Sequence, residues 1–304
     1  MMKDVIIIGG GPAGLSAGIY AARAALDTLL LERAMTGGLA ASTEHIENYP
    51  GFPEGSGGPE LMSRMEAQAR RFGMEITTGN VEQIIKEEKA FTVKTEDGDY
   101  QTRTVILATG AYPRLLHVKG EQDFLGRGVS FCATCDGAFF RDKKVAVIGG
   151  GDAAVEEAMF LTRFAARVYI VHRRDQLRAT RIVQQRAFKN EKIEFVWNNV
   201  VEEIIGRDKV EGVMLTNVQS GEKQRLDVDG VFVYIGYQPN SALVAGLAEV
   251  DERGYVITDE NMATSCPGLF AAGDVRKKSL RQVVTAVADG AVAAVAAGKF
   301  IEEA

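Results

Sequence analysis

The chain has 304 residues, 46% hydrophobic and 25% charged, with a formal net charge of −6. That length suits about two domains and a sizeable core, and the acidic balance argues against non-specific binding to nucleic acid. Three cysteines, two of them in one motif, fit a reducing compartment.

Val5 to Ala22 carries no charge, but five glycines and Pro12 interrupt it. It has no basic leader and no cleavage pattern. Its unbroken apolar length is far below the roughly 20 residues of a membrane span. The expectation is a cytoplasmic chain with no membrane insertion.

Val5-Ile6-Ile7-Ile8 reads as a strand, Gly9-Gly10-Gly11-Pro12-Ala13-Gly14 as a glycine turn, Leu15 to Ala25 as a helix and Thr28 to Glu32 as a second strand. In such a unit the glycines let backbone N–H groups approach a pyrophosphate at the helix N-terminus, and the terminal acid accepts hydrogen bonds from a ribose diol. A lone G-x-G-x-x-G is weak. Here the flanking strands and Glu32 supply its context, which favours nucleotide binding over a turn that only permits tight packing. Glu44 to Gly58 reads as a loop and Leu61 to Phe72 as a helix. Val81–Ile85, Phe91–Thr95 and Thr104–Leu107 read as strands. Ala108-Thr109-Gly110 closes the last, either for close approach to a ligand or as a tight turn.

Phe131-Cys132-Ala133-Thr134-Cys135-Asp136-Gly137 holds two cysteines three apart and then an acid. Thiolates in such motifs are often stabilised, so exchange is fast near neutral pH. Asp136 is placed to give or take a proton. A zinc half-site needs about four ligands. Cys266, His45, His117 and His172 are scattered singly, and the missing second pair decides against a metal.

The first pattern then returns. Lys144–Ile148 reads as a strand, Gly149-Gly150-Gly151-Asp152-Ala153-Ala154 as the turn, Ala154–Phe164 as a helix and Arg167–Val171 as a strand. Gly9 to Glu32 and Gly149 to His172 both span 23 positions. This is an internal repeat of the nucleotide unit. The acid is replaced by His172-Arg173-Arg174, with Arg178 a turn further on. Arginines grip a 2′-phosphate that an acid would repel. The first site is therefore expected to take an unphosphorylated ribose and the second NADPH. Ile193–Ile205, Val210–Thr216 and Val231–Ile235 read as strands, and Leu269 to Ala272 as a strand ending in Gly273-Asp274. Asp274 either caps the helix expected over Leu280–Phe300 or touches a ligand hydroxyl.

These motifs, in this order and with Glu47-Asn48-Tyr49-Pro50-Gly51 and Arg281-Gln282, resemble the bacterial-type low-molecular-weight thioredoxin reductases. The resemblance runs from about Asp4 to the C-terminal helix. It implies an α/β fold of two Rossmann-like nucleotide-binding domains of the three-layer ββα sandwich type. The FAD domain would be residues 1–114 and 242–304, and the inserted NADPH domain, carrying the cysteine pair, 115–241. FAD would lie against Gly9, Gly11, Pro12, Ala13, Gly14, Glu32, Asn48, Ala108, Thr109, Gly110, Asp274, Arg281 and Gln282. NADPH would lie against Gly149, Gly151, Asp152, Ala153, Ala154, His172, Arg173, Arg174 and Arg178.

The family implies a homodimer that reduces thioredoxin. Electrons would pass from NADPH through the flavin to a Cys132–Cys135 disulfide, with Cys135 nearer the flavin, Asp136 as acid and Cys132 attacking thioredoxin. One flavin must meet both the nicotinamide and the disulfide, which share the inserted segment, so one domain is expected to rotate about its two connections. Where the family commonly has Gly-Gly-Gln, this chain has Gly37-Gly38-Leu39. That departure keeps open a related flavin dithiol oxidoreductase fed by ferredoxin or acting on another disulfide. Arg173, Arg174 and Arg178 argue against ferredoxin.

Overall fold

The computed structural model describes residues 2–43 and 46–303. Met1, Ala304 and, in the expected loop, Glu44 and His45 lie outside them. The chain forms two compact units, 1–112 with 238–304, and 113–237.

The first unit opens with β1 (Lys3–Ile8), α1 (Pro12–Arg23) and β2 (Thr28–Glu32). It continues with α2 (Gly58–Arg71), β3 (Glu75–Thr78), β4 (Val81–Lys86), β5 (Phe91–Thr95), β6 (Gly98–Leu107) and β7 (Ala111–Pro113). Pro12 fits the first helical turn, where its missing N–H costs nothing, so α1 starts three residues before the apolar run suggests. β3, β2, β1 and β6 form a parallel sheet in that order, and β5 and β4 extend it antiparallel from the long β6.

In the second unit come β8 (Val129–Ser130), α3 (Ala133–Asp136), β9 (Lys144–Gly149), α4 (Asp152–Leu161), β10 (Arg167–His172) and α5 (Arg181–Phe188). Then follow β11 (Ile193–Trp197), β12 (Asn199–Gly206), β13 (Val210–Asn217), β14 (Lys223–Leu226) and β15 (Gly230–Tyr234). Its parallel sheet has the order β11-β10-β9-β15-β8, with β12-β13-β14 a separate antiparallel sheet. The expected single strand Ile193–Ile205 is two, β11 and β12. Asn198 between them has φ +58°, a left-handed conformation that asparagine tolerates, and it turns the chain out of the parallel sheet. The expectation also omitted α5, whose buried face is only Val183 and Ala187.

β16 (Tyr237–Pro239) pairs with β7 where the chain crosses between the units. The first unit is completed by β17 (Leu269–Ala271), which pairs with β6, and by α6 (Val283–Glu303). Alternate strand residues face opposite layers. In the first unit Val5, Ile7, Leu30, Ile106 and Phe270 pack under the helices, while Ile6, Ile8, Leu29, Leu31, Val105 and Leu107 pack under Ile84, Phe91 and Val93 of the meander. The second unit repeats this. Val145, Val147, Val168 and Ile170 lie against α4 and α5, and Ala146, Ile148, Val171 and Val233 against Val201, Ile204, Val213 and Leu215. Each unit therefore has three layers of helices, parallel sheet and antiparallel strands.

Among the described residues α6 is the one helix long and apolar enough to cross a membrane. One face of it packs into the core of the first unit. Ala286, Ala293, Ala294, Ala297 and Ile301 are buried, and Ser16 Oγ of α1 donates to Val287 O at 2.8 Å. Gly290 allows this close approach, since a Cβ there would collide with Ala13 O of α1.

Candidate active site

At the end of β1, Gly9 has φ +106°, and a side chain would put its Cβ 2.5 Å from Ala108 O. The turn therefore lies tight against Ala108-Thr109-Gly110 at the end of β6. A Cβ on Gly11 would meet nothing within 4 Å, so the mouth of α1 is open beside Pro12, Ala13 and Gly14. Glu32, at the end of β2, accepts from Gly10 N through Oε2 at 2.7 Å and from Ala34 N through Oε1 at 3.2 Å. Gly37 N donates to Gly10 O at 2.7 Å. Thr36 donates to Glu66 of α2, whose carboxyl is held below its usual range by that hydroxyl first and Arg70 second.

The structure brings distant members of the expected set together within this unit. Asn48 Nδ2 donates to Gln282 Oε1 at 2.9 Å, across 234 positions of sequence. Thr109 Oγ1 donates to Asn240 O at 2.7 Å. Asp274 follows β17, and its Oδ1 is buried with no hydrogen-bond partner. Burial pushes the Asp274 carboxyl up, while Lys278 and then Arg281 pull it down. Arg281 lies over the Tyr255 ring, 4.0 Å from guanidinium carbon to centroid, with a buried Nε that also lacks a partner.

The second nucleotide unit has the same plan. A Cβ on Gly149 would meet Ala154 Cβ at 2.8 Å, and Gly151 faces open space at the N-terminus of α4. Arg178 N and Ala179 N donate to Gly150 O, the counterpart of Gly37 N on Gly10 O. Asp152 Oδ1 accepts from Thr180 N at 2.7 Å, so Asp152 fastens the basic loop to α4 beside Ala153 and Ala154. His172 is buried against Gly150 with Nε2 unpartnered, while Arg173, Arg174 and Arg178 are exposed. Burial first, then Arg178, Arg174 and Arg173, hold His172 below its usual range.

Cys132 and Cys135 form a disulfide, Cα to Cα 5.3 Å, at the start of α3. Cys132 caps the helix and its Sγ accepts from Cys135 N at 3.2 Å. Cys132 N donates to Ser130 Oγ at 3.0 Å, and Asp136 N to Cys132 O at 3.1 Å. Cys135 is exposed, whereas Cys132 and Asp136 are half-buried.

A family model for pyridine nucleotide-disulphide oxidoreductases matches residues 3–290. The thioredoxin reductase of Peptoclostridium litorale is 52% identical over 306 residues, covering 99% of this chain and 97% of the relative. That of Bacillus subtilis (strain 168) is 50% identical over 301 residues, covering 99% and 95%. The crystal structure of Lactococcus lactis thioredoxin reductase in its FR conformation superposes with a TM-score of 0.98 at 49% identity, covering 99% of this chain and all of that one. The chain belongs to the thioredoxin reductases of the pyridine nucleotide-disulphide oxidoreductase family. Members are oxidoreductases that use FAD and NADPH.

The residues present fit those groups. Each unit offers an open helix mouth and a buried polar atom without a partner, Asp274 Oδ1 in the first and His172 Nε2 in the second. Three residues escaped the sequence reading. Tyr234, on β15, accepts Ala133 N at 2.8 Å, and burial, with Glu157 next, holds its phenol far above the usual range. Asp289 and Lys278 lie under Asp274. A signal for Asp289 was available, since it is the one charge between Val283 and Gly298.

Proposed function

We propose that this chain reduces oxidised thioredoxin with electrons from NADPH, carried through FAD in the first unit and Cys132–Cys135 in the second. The observation that carries this reading is a disulfide at a helix N-terminus in the same unit as a nucleotide turn lined by three exposed arginines. Glu32, Asn48, Asp274, Arg281 and Gln282 would hold FAD together with the turns Gly9–Gly14 and Ala108–Gly110. His172 and the arginines would hold NADPH with the turn Gly149–Ala154. When bound, FAD supplies the carrier that accepts an electron pair from a nicotinamide and passes it to a disulfide.

The chain's own steps are thiol–disulfide exchange. With the pair reduced, the Cys132 thiolate attacks one sulfur of the thioredoxin disulfide and releases the other as a thiolate. Cys135 then displaces the mixed disulfide, re-forming Cys132–Cys135 and freeing the second thioredoxin sulfur. Asp136, in the same helical turn, handles the proton of the leaving thiol. The backbone N–H of Cys135 that points at Cys132 Sγ, at the positive end of a helical turn, favours the Cys132 thiolate.

The second unit rotates on its two crossings at β7 and β16, which are short and joined to each other. The protein works as a cytoplasmic homodimer without membrane insertion. The apolar stripe Val284, Ala288, Val292 and Val295 left exposed on α6 supports the dimer. Light scattering checks the mass.

The deciding experiment is turnover of oxidised thioredoxin with NADPH, NADH or reduced ferredoxin as donor. NADPH should serve best, and Cys135→Ser should fall to background while keeping its bound flavin. Turnover with ferredoxin and none with NADPH would sink the assignment.

A further inference from the structure

Beneath Asp274 lies a largely buried polar cluster centred on Asp289 of α6. The Asp289 carboxylate is buried and accepts from Gly273 N at 3.0 Å, Arg276 Nη1 at 3.0 Å and Lys278 Nζ at 2.8 Å. Lys278 Nζ is 3.9 Å from Asp274 Oδ1, an ion-pair distance beyond hydrogen bonding. Its side chain is only 8% exposed. Arg276 is fixed from the other side by Thr258 Oγ1 at 2.8 Å. Two carboxylates, Asp274 and Asp289, thus meet two cations, Arg276 and Lys278, and the charge of Arg281 also acts on Asp274.

The cluster does more than hold a helix. A buried charge pair adds little net stability over an apolar one, and every neighbouring position of α6 facing the core is small and apolar. Asp289 reaches the backbone N–H of Gly273, the residue just before Asp274, so it fixes the turn from which Asp274 projects. It also engages the Lys278 ammonium that would otherwise be drawn fully to Asp274. The free Oδ1 of Asp274 is the outcome.

We propose that Asp289 and Lys278 are positioning residues that orient Asp274 and set the reduction potential of the flavin held beside it. The inference rests on the reading that the first unit binds FAD. Reduction adds negative charge to the cofactor, so a nearby net positive charge favours the reduced form, and in a water-poor site single charges act strongly. Removing Asp289's charge leaves the cluster more positive. Removing Lys278's leaves it more negative.

The test is the flavin potential of the purified holoenzyme, measured anaerobically against reference dyes, for Asp289→Asn, Lys278→Met and the double variant. Asp289→Asn should move the equilibrium with the dye toward reduced flavin by tenfold or more, about 30 mV for a two-electron couple. Lys278→Met should move it the opposite way, and the double variant should return close to the parent. A purely structural role predicts no such reversal of sign. Shifts of the same sign, or none in variants that keep their flavin, overturn the proposal. If Asp289→Asn does not fold, Lys278→Met decides alone, because Asp289 keeps Arg276 as a partner; an unchanged or raised potential then overturns it. A parent protein with no FAD overturns the reading of the first unit instead.

Discussion

The first unit's parallel sheet runs β3-β2-β1-β6-β17, and the second unit's runs β11-β10-β9-β15-β8. The two are the same sheet with its fifth strand taken from opposite ends of the sequence. In the first unit that strand arrives last and delivers Gly273-Asp274. In the second it arrives first and delivers Cys132 to Asp136. The second strand differs just as sharply in what it carries, Glu32 in one unit and His172 with its arginines in the other. The shared sheet and glycine turn provide a place where a pyrophosphate can sit. Short segments at the carboxyl ends of the second and fifth strands give each unit its own chemistry.

The largest way to break that comparison is at the second strand. Arg173→Ala with Arg174→Ala should raise the Michaelis constant for NADPH by roughly a hundredfold, at about 1.4 kcal/mol or more per lost charged contact, while NADH is spared. Equal loss for both cofactors would show that the basic triplet is only a solvated strand end.

At the matching position, Glu32→Ala should weaken FAD binding by about 1.5–3 kcal/mol, since a charged acceptor is lost and Gly10 N loses its partner with it. Flavin fluorescence on dilution checks this. Retention as tight as the parent's would remove Glu32 from the cofactor site.

A third comparison is steric. Alanine at Gly150 would place Cβ 2.5 Å from His172 Nδ1, inside a buried ring, whereas at Gly10 the nearest atom is Thr36 Cγ2 at 3.0 Å. Gly150→Ala should therefore cost about 1–3 kcal/mol of overpacking and lower the thermal midpoint more than Gly10→Ala. Equal midpoints would mean that His172 yields freely.

The smallest effect is in pH. The folded state holds His172 below its usual range, so the unfolded chain binds the proton first. Stability is full above the unfolded value of about 6.5 and is lost as pH falls through it toward the folded value. Denaturant titrations between pH 7.5 and 5.5 should show a shallower acid slope for His172→Gln than for the parent.

Much of this was legible in the chain. Both glycine turns, the 23-residue register to Glu32 and His172, and the cysteine pair are local patterns whose geometry follows from adjacent residues. Most strands of both parallel sheets were legible for the same reason, since Val5–Ile8 and residues 145–149 are buried and read as unbroken apolar runs, but β3, mixed and partly exposed, and the two-residue β8 were not. α5 was not, because two buried residues make too weak a stripe, and neither was the break at Asn198, which depends on one backbone torsion.

By itself the sequence showed two glycine turns in one register, an acid after the first and arginines after the second, with a cysteine pair just before the second. Tertiary structure alone decided that Asn48 meets Gln282, that β8 and β17 occupy equivalent edges, and that Tyr234 holds Ala133 N. It also put Asp289 under Asp274, through the Gly290 contact that lets α6 lie against α1. The contacts among these join residues 16, 101 and 234 positions apart. Such contacts depend on which faces bury together, and a pattern read along the chain reports the period of a face but not its partner.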